Sequence, residues 1–182
     1  TGTEPWISDG TPGGTFPLGD LDPGFGDSNP RDMVVFGDQV IFTAYSSATG
    51  SEAYATDGTV AGTFLLFDSN PGSPTGSPGG YTELDGELYF SALVPGFGQS
   101  LWKTDGTTVG TTLVADIGPP GPFGAVSETI TAFGDRIYFS GDGGTGGQEL
   151  WSSDGTQLGT IQVSDIAPGS AGSSPADFAI LA

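Results

Sequence analysis

Apolar side chains in this sequence come in runs of roughly five to seven residues, each closed by Gly, Asp, Pro or Ser, and no ten-residue helical period occurs. Met33-Val34-Val35-Phe36 leads through Gly37-Asp38 into Gln39-Val40-Ile41-Phe42-Thr43-Ala44-Tyr45. That is the pattern of two strands around a two-residue turn. Asp85-Gly86 and Gly134-Asp135 mark matching turns further along. A second kind of strand pair surrounds Asp-Gly-Thr. Glu149-Leu150-Trp151-Ser152-Ser153 runs into Asp154-Gly155-Thr156, and Thr160-Ile161-Gln162-Val163-Ser164-Asp165 returns. Thr63 to Asp68 and Thr111 to Asp116 are further return strands, and a loop such as Asn70-Pro71-Gly72 ends each one.

These elements recur. An aromatic residue precedes Asp-Gly-Thr by three positions at Trp6, Tyr54, Trp102 and Trp151, so the aspartates fall at Asp9, Asp57, Asp105 and Asp154. A second Gly-Thr follows at Gly14-Thr15, Gly62-Thr63, Gly110-Thr111 and Gly159-Thr160. A repeat of about 48 residues holding four antiparallel strands is the blade of a β-propeller. The predicted fold is therefore all-β and propeller-like, with four repeats in a single domain spanning 1–182.

The pattern Glu-Leu-Trp-x-x-Asp-Gly-Thr, complete at Glu149 to Thr156, resembles the bacterial ELWxxDGT-repeat proteins. The resemblance covers nearly the whole chain. It implies a secreted or surface protein with propeller-type repeats and no shared catalytic apparatus. Tyr54 stands in place of Trp in the second copy and Ser100 in place of Glu in the third.

If the strand before each Gly/Asp turn is innermost, complete blades span approximately 32–68, 81–116 and 129–165. The remaining blade is split between residues 1–20 and 177–182. It has outer strands at 4–9 and 15–20, an inner strand at Asp177-Phe178-Ala179-Ile180-Leu181, and no counterpart of Gln39 to Tyr45. Three arrangements account for a blade one strand short: truncation of a longer repeat protein, closure with three strands, or completion by a neighbouring protomer in a head-to-tail assembly. Unpaired N–H and C=O groups at such a gap are a template for another chain.

Charge narrows the partners. Lys103, Arg31 and Arg136 face 22 carboxylates, a formal charge of -19 on 182 residues. Such a polyanion is repelled by nucleic acid and by anionic membranes. It suits high-salt or divalent-rich surroundings, where screening relieves self-repulsion. No apolar run approaches the roughly 18 residues of a membrane span. With no Cys there are no disulfides, thiol nucleophiles or zinc–thiolate sites. The absence of an initiator Met and of a signal-like apolar stretch reads as a mature or excised product.

The recurring aspartates read as turn residues whose carboxylates accept local N–H bonds, and the recurring aromatics as packing between blades. Asp20, Asp22 and Asp27, clustered in the first Gly-rich loop, are the candidate calcium ligands, since calcium takes six to eight oxygens in flexible geometry. No other cofactor is expected. Phe25, Phe97 and Phe123 lie in Gly/Pro loops and break the repeat, which marks them as candidate partner contacts.

Without His or Cys, nucleophilic catalysis lacks its base and its thiol. A glycoside hydrolase needs two facing carboxylates that nothing in the sequence selects. The expectation is an extracellular, non-enzymatic structural or adhesive protein that self-associates as a homopolymer subunit of a fibre or surface assembly. The alternatives are a calcium- or glycan-binding module and a glycosidase.

Overall fold

The computed structural model describes residues 2–72, 74–118, 126–144 and 147–180. Fourteen strands and no helix occur among them. The strands are β1 (Trp6–Ile7), β2 (Phe16–Pro17), β3 (Arg31–Phe36), β4 (Gln39–Ser46), β5 (Gly50–Thr56), β6 (Phe64–Phe67) and β7 (Gly79–Leu84). They continue with β8 (Glu87–Val94), β9 (Gly98–Thr104), β10 (Thr112–Ala115), β11 (Val126–Phe133), β12 (Arg136–Asp142), β13 (Gln148–Ser153) and β14 (Ile161–Ser164). With no helix there is none long and apolar enough to cross a membrane.

The strands form one two-stranded sheet, β1-β2, and three four-stranded antiparallel sheets in chain order, β3 to β6, β7 to β10 and β11 to β14. Each four-stranded sheet is a blade-type meander, so the chain is an all-β, propeller-like repeat. The first hairpin of each pairs Phe36 with Gln39, Leu84 with Glu87, or Phe133 with Arg136. Gly37, Asp85, Gly86 and Gly134 take positive φ in these turns, the backbone twist a two-residue hairpin loop requires.

By contacts the chain divides into two compact units, Thr1–Pro78 and Gly79–Ala182. The first holds sheets β1-β2 and β3–β6, the second sheets β7–β10 and β11–β14. The second strand of each four-stranded sheet carries the core: Phe42, Phe90 and Phe139 recur at one repeat position and are completely buried. Burial of such a ring stabilises by about 1.5–3 kcal/mol. In the second unit β11 lies across β7, β8 and β9. Tyr89, Leu101 and Val114 of one sheet thereby share a core with Val126, Ile130 and Phe139 of the next.

The terminal elements are slighter than their counterparts. β1 and β2 have two residues each and pair only with one another. Residues 177–180, the expected inner strand, have no strand ladder, and Asp177 sits at φ 53°. A strand needs a neighbour to satisfy its backbone, and no counterpart of β4 or β12 lies beside this segment in the sheet order.

Candidate interaction surface

Each Asp-Gly-Thr repeat closes the same hydrogen-bonded knot. In the second copy Asp57 Oδ1 accepts the N–H and the hydroxyl of Thr59 at 2.9 and 2.7 Å. The Thr59 hydroxyl accepts Gly62 N–H at 2.9 Å, and Thr63 donates its hydroxyl to Thr59 O at 2.8 Å. Thr56 and Thr63 share a hydroxyl bond of 2.7 Å. Asp9, Asp105 and Asp154 accept the same pair of bonds from Thr11, Thr107 and Thr156. The Thr hydroxyl, then its N–H, hold all four carboxyls below the ordinary Asp value. These aspartates are occupied as turn locks. The later Gly is required because a β-carbon on Gly62 would lie 2.0 Å from Asp57 Oδ1.

A second device, unrecognised in the sequence, is the buried Glu two residues before the aromatic. Glu52 accepts Ser69 N–H and hydroxyl on Oε2 at 3.0 and 3.2 Å, and Gly76 N–H on Oε1 at 2.5 Å. Glu149 accepts Ile166 N–H at 2.9 Å, Ala167 N–H at 3.3 Å, Ser173 N–H at 2.9 Å and the Ser173 hydroxyl at 2.7 Å. Glu4 takes Leu21 N–H and the Ser28 hydroxyl on Oε2, leaving Oε1 buried and unpartnered. The donors fall seventeen and twenty-four residues after each Glu, so the side chain staples the loop leading to the next blade.

Asn29, Ser77 and Ser174 follow at left-handed φ of 45°, 47° and 46°, a region costly for non-Gly residues. Their N–H groups are pinned to Thr3, Ser51 and Gln148 carbonyls. Burial, outweighing the bonds it receives, pushes the Glu52 carboxyl up to about 6. The Ser173 hydroxyl, with backbone donors, holds Glu149 below its ordinary value. Ser100 instead donates to Asp116 Oδ1 at 3.3 Å.

The proposed calcium ligands are not assembled as a set. Asp22 Oδ1 accepts Ser47 N–H at 2.8 Å, Asp27 Oδ1 accepts Thr3 N–H at 2.6 Å, and Asp20 Oδ2 meets Gly24 N–H at 3.5 Å. Among the described residues no group of three acids is placed to hold a metal. Each of these carboxylates faces its own backbone donor, which draws the oxygens apart. Phe25 stands 99% exposed at its loop tip and Phe97 39% exposed in the β8–β9 turn, whereas Phe123 lies outside the described residues.

The recurring aromatics separate into two classes. Tyr54 is buried and stacks on Phe42, with ring centroids 5.9 Å apart. Trp102 donates from Nε1 to Ala92 O at 3.2 Å, and Trp151 packs against the core of the second unit. Trp6 is 60% exposed. Its neighbour Ile7 turns toward the next sheet, close enough that a β-carbon on Gly58 would meet Ile7 Cδ1 at 2.9 Å. Trp6 also lines two grooves: one of about 350 Å³ with Met33, Val35 and Phe42, and one of about 460 Å³ with Glu4, Asp20 and Val60.

No protein-family model matches the chain, and no curated protein does. Similar solved structures include an α-L-arabinofuranosidase from Clostridium thermocellum, with 16% identity and a TM-score of 0.38 over 81% of this chain. Another is a puromycin hydrolase, with 17% identity and a TM-score of 0.40 over 86% of it. The chain spans 56% and 32% of those two proteins' lengths. The expectation of a non-enzymatic chain is corrected: a named glycosidase stands among the similar structures, and the chain is not described as non-enzymatic.

Proposed function

We propose that this chain is an extracellular structural or adhesive repeat protein, a self-associating subunit of a fibre or surface assembly that joins through the exposed face of its first repeat. The observation carrying this reading is Trp6: three of the four recurring aromatics are wholly or partly buried, and this one presents its ring to solvent beside a two-stranded sheet with a free edge. An exposed aromatic beside an unpaired strand edge favours a protein partner. The resemblance to ELWxxDGT-repeat proteins and the acidic, lysine-poor composition support the extracellular placement.

Hydrogen exchange on the unmodified chain tests it. Strand addition at β1 predicts that amides of the segment around Trp6 and Ile7 become protected as concentration rises. Exchange there that is independent of concentration contradicts it.

A glycan-binding reading has one observation in its favour. The groove shared by Trp6, Glu4 and Asp20 pairs a flat ring with acceptors for sugar hydroxyls. Quenching or a shift of Trp6 emission on addition of an oligosaccharide panel, lost in Trp6→Phe/Ala comparison, supports it; unchanged emission rejects it.

A further inference from the structure

In an Asp-Gly pair the aspartyl carboxyl condenses readily with the main chain, because glycine has no side chain to screen its nitrogen. Six such pairs occur in this sequence: the four Asp-Gly-Thr turns, Asp85-Gly86 and Asp142-Gly143. The fold treats them differently.

In the four turns both reacting groups are engaged. Thr59 holds Asp57 Oδ1 through its N–H and its hydroxyl, and Gly58, whose nitrogen would attack, donates its N–H to Thr56 Oγ1 at 3.1 Å. Gly10, Gly106 and Gly155 donate likewise to Ser8, Thr104 and Ser153 at 3.0, 3.0 and 3.1 Å. The lowered carboxyl values favour the ionised form of these four acids, and a carboxylate is a poorer electrophile than the neutral acid. Asp142 Oδ1 accepts Gly144 N–H at 2.7 Å. Gly143 sits against the Trp151 ring, where an added β-carbon would meet Cζ2 at 2.8 Å.

Asp85-Gly86 has neither restraint. It is the loop between β7 and β8, with both residues exposed and at φ 53° and 78°. No hydrogen bond links the Asp85 carboxyl or the Gly86 N–H to another described residue. The corresponding hairpins carry the reverse order, Gly37-Asp38 and Gly134-Asp135, so their aspartates precede Gln39 and Arg136.

We infer that Asp85-Gly86 is a self-modification site, where the folded chain forms isoaspartate while its five other Asp-Gly pairs stay intact. The Gly86 amide nitrogen gives up its proton and bonds to Asp85 Cγ, and the carboxyl hydroxyl leaves with a proton as water. Water then opens the resulting five-membered imide. Breaking the bond from the nitrogen to Cγ restores aspartate; breaking the bond to the main-chain carbonyl carbon routes the chain through Cγ as isoaspartate. No atom is gained or lost overall. The product adds a methylene to the main chain between Leu84 and Glu87, the pair that closes the hairpin.

Prolonged incubation of the full chain, followed by peptide mapping with electron-transfer fragmentation, tests the assignment. Isoaspartate is expected at Asp85 alone in native buffer and at all six pairs in urea. An Asp85 that stays unconverted in the folded chain overturns the proposal, as does conversion of Asp142 or a turn aspartate at the rate of Asp85. Asp85→Gly combined with Gly86→Asp, which copies the order of the other two hairpins, is expected to abolish the product. Asp85→Asn should speed it, with ammonia leaving in place of water; unchanged formation in the first variant or no conversion in the second counts against the mechanism. Thr56→Val with Thr59→Val releases both reacting groups of one turn, so conversion should appear at Asp57 while Asp9, Asp105 and Asp154 remain intact as controls for folding. Silence at Asp57 overturns the protective role of those bonds.

Discussion

Ser69 and Glu52 lie seventeen residues apart, and both donors of Ser69 end on the same carboxylate oxygen, at 3.0 and 3.2 Å. Glu149 binds its own loop with the same spacing. These staples orient the link between blades, and the Asp-Gly-Thr knots orient the return within a blade.

The Glu52 staple predicts a pH dependence. Its folded value of about 6 lies above the ordinary 4.5, so between those values the folded chain keeps a proton that the unfolded chain has released. Stability from this group therefore falls as pH rises from about 4.5 to about 6. Glu52→Gln is expected to flatten that part of a stability-versus-pH curve measured by urea titration. Asp9, Asp57, Asp105 and Asp154 act in the opposite sense. Their lowered values contribute stability that is present above the ordinary 3.8 and lost as pH falls below it.

The knot predicts a specific steric coupling. Gly62→Ala places a methyl group against the Asp57 carboxylate and is expected to cost about 1–3 kcal/mol, as overpacking does. Asp57→Ala clears that space, so the double variant should lose less than the sum of the two single changes. Additive losses in denaturant titration contradict the contact.

Glu149 predicts a local effect. Glu149→Ala removes the acceptor for Ile166, Ala167 and Ser173 N–H groups, so amide exchange across 166–174 should accelerate while β12 and β13 keep their protection. Uniform acceleration through the whole sheet contradicts a staple and indicates a general packing role.

Association should depend on salt. Copies carrying -19 each repel, and screening shortens from roughly 30 Å at 0.01 M to roughly 8 Å at 0.15 M. The weight-average mass is expected to rise over that range. At matched ionic strength, a greater rise with calcium than with sodium would reveal a specific ion contribution beyond screening.

Much of the fold was legible in the sequence, because Gly37-Asp38, Asp85-Gly86, Gly134-Asp135 and the Asp-Gly-Thr turns are local chemistry repeated in phase. The Glu staple was not: its donors are mostly backbone N–H groups, which any residue supplies, and the replacement by Ser100 hid the pattern. The different fate of Trp6 was equally hidden, because identical positions acquire different burial only through what is stacked beside them. Asp20, Asp22 and Asp27 looked alike in sequence, but each was already engaged by a separate backbone donor.

Solution mass of the unmodified protein across a concentration series in moderate salt decides whether the exposed first-repeat face joins copies of the chain. The account predicts masses that climb from the 18.3 kDa chain through successive multiples, with elongated particles in negative-stain images. A mass that stays at one chain throughout, with single compact particles, contradicts it.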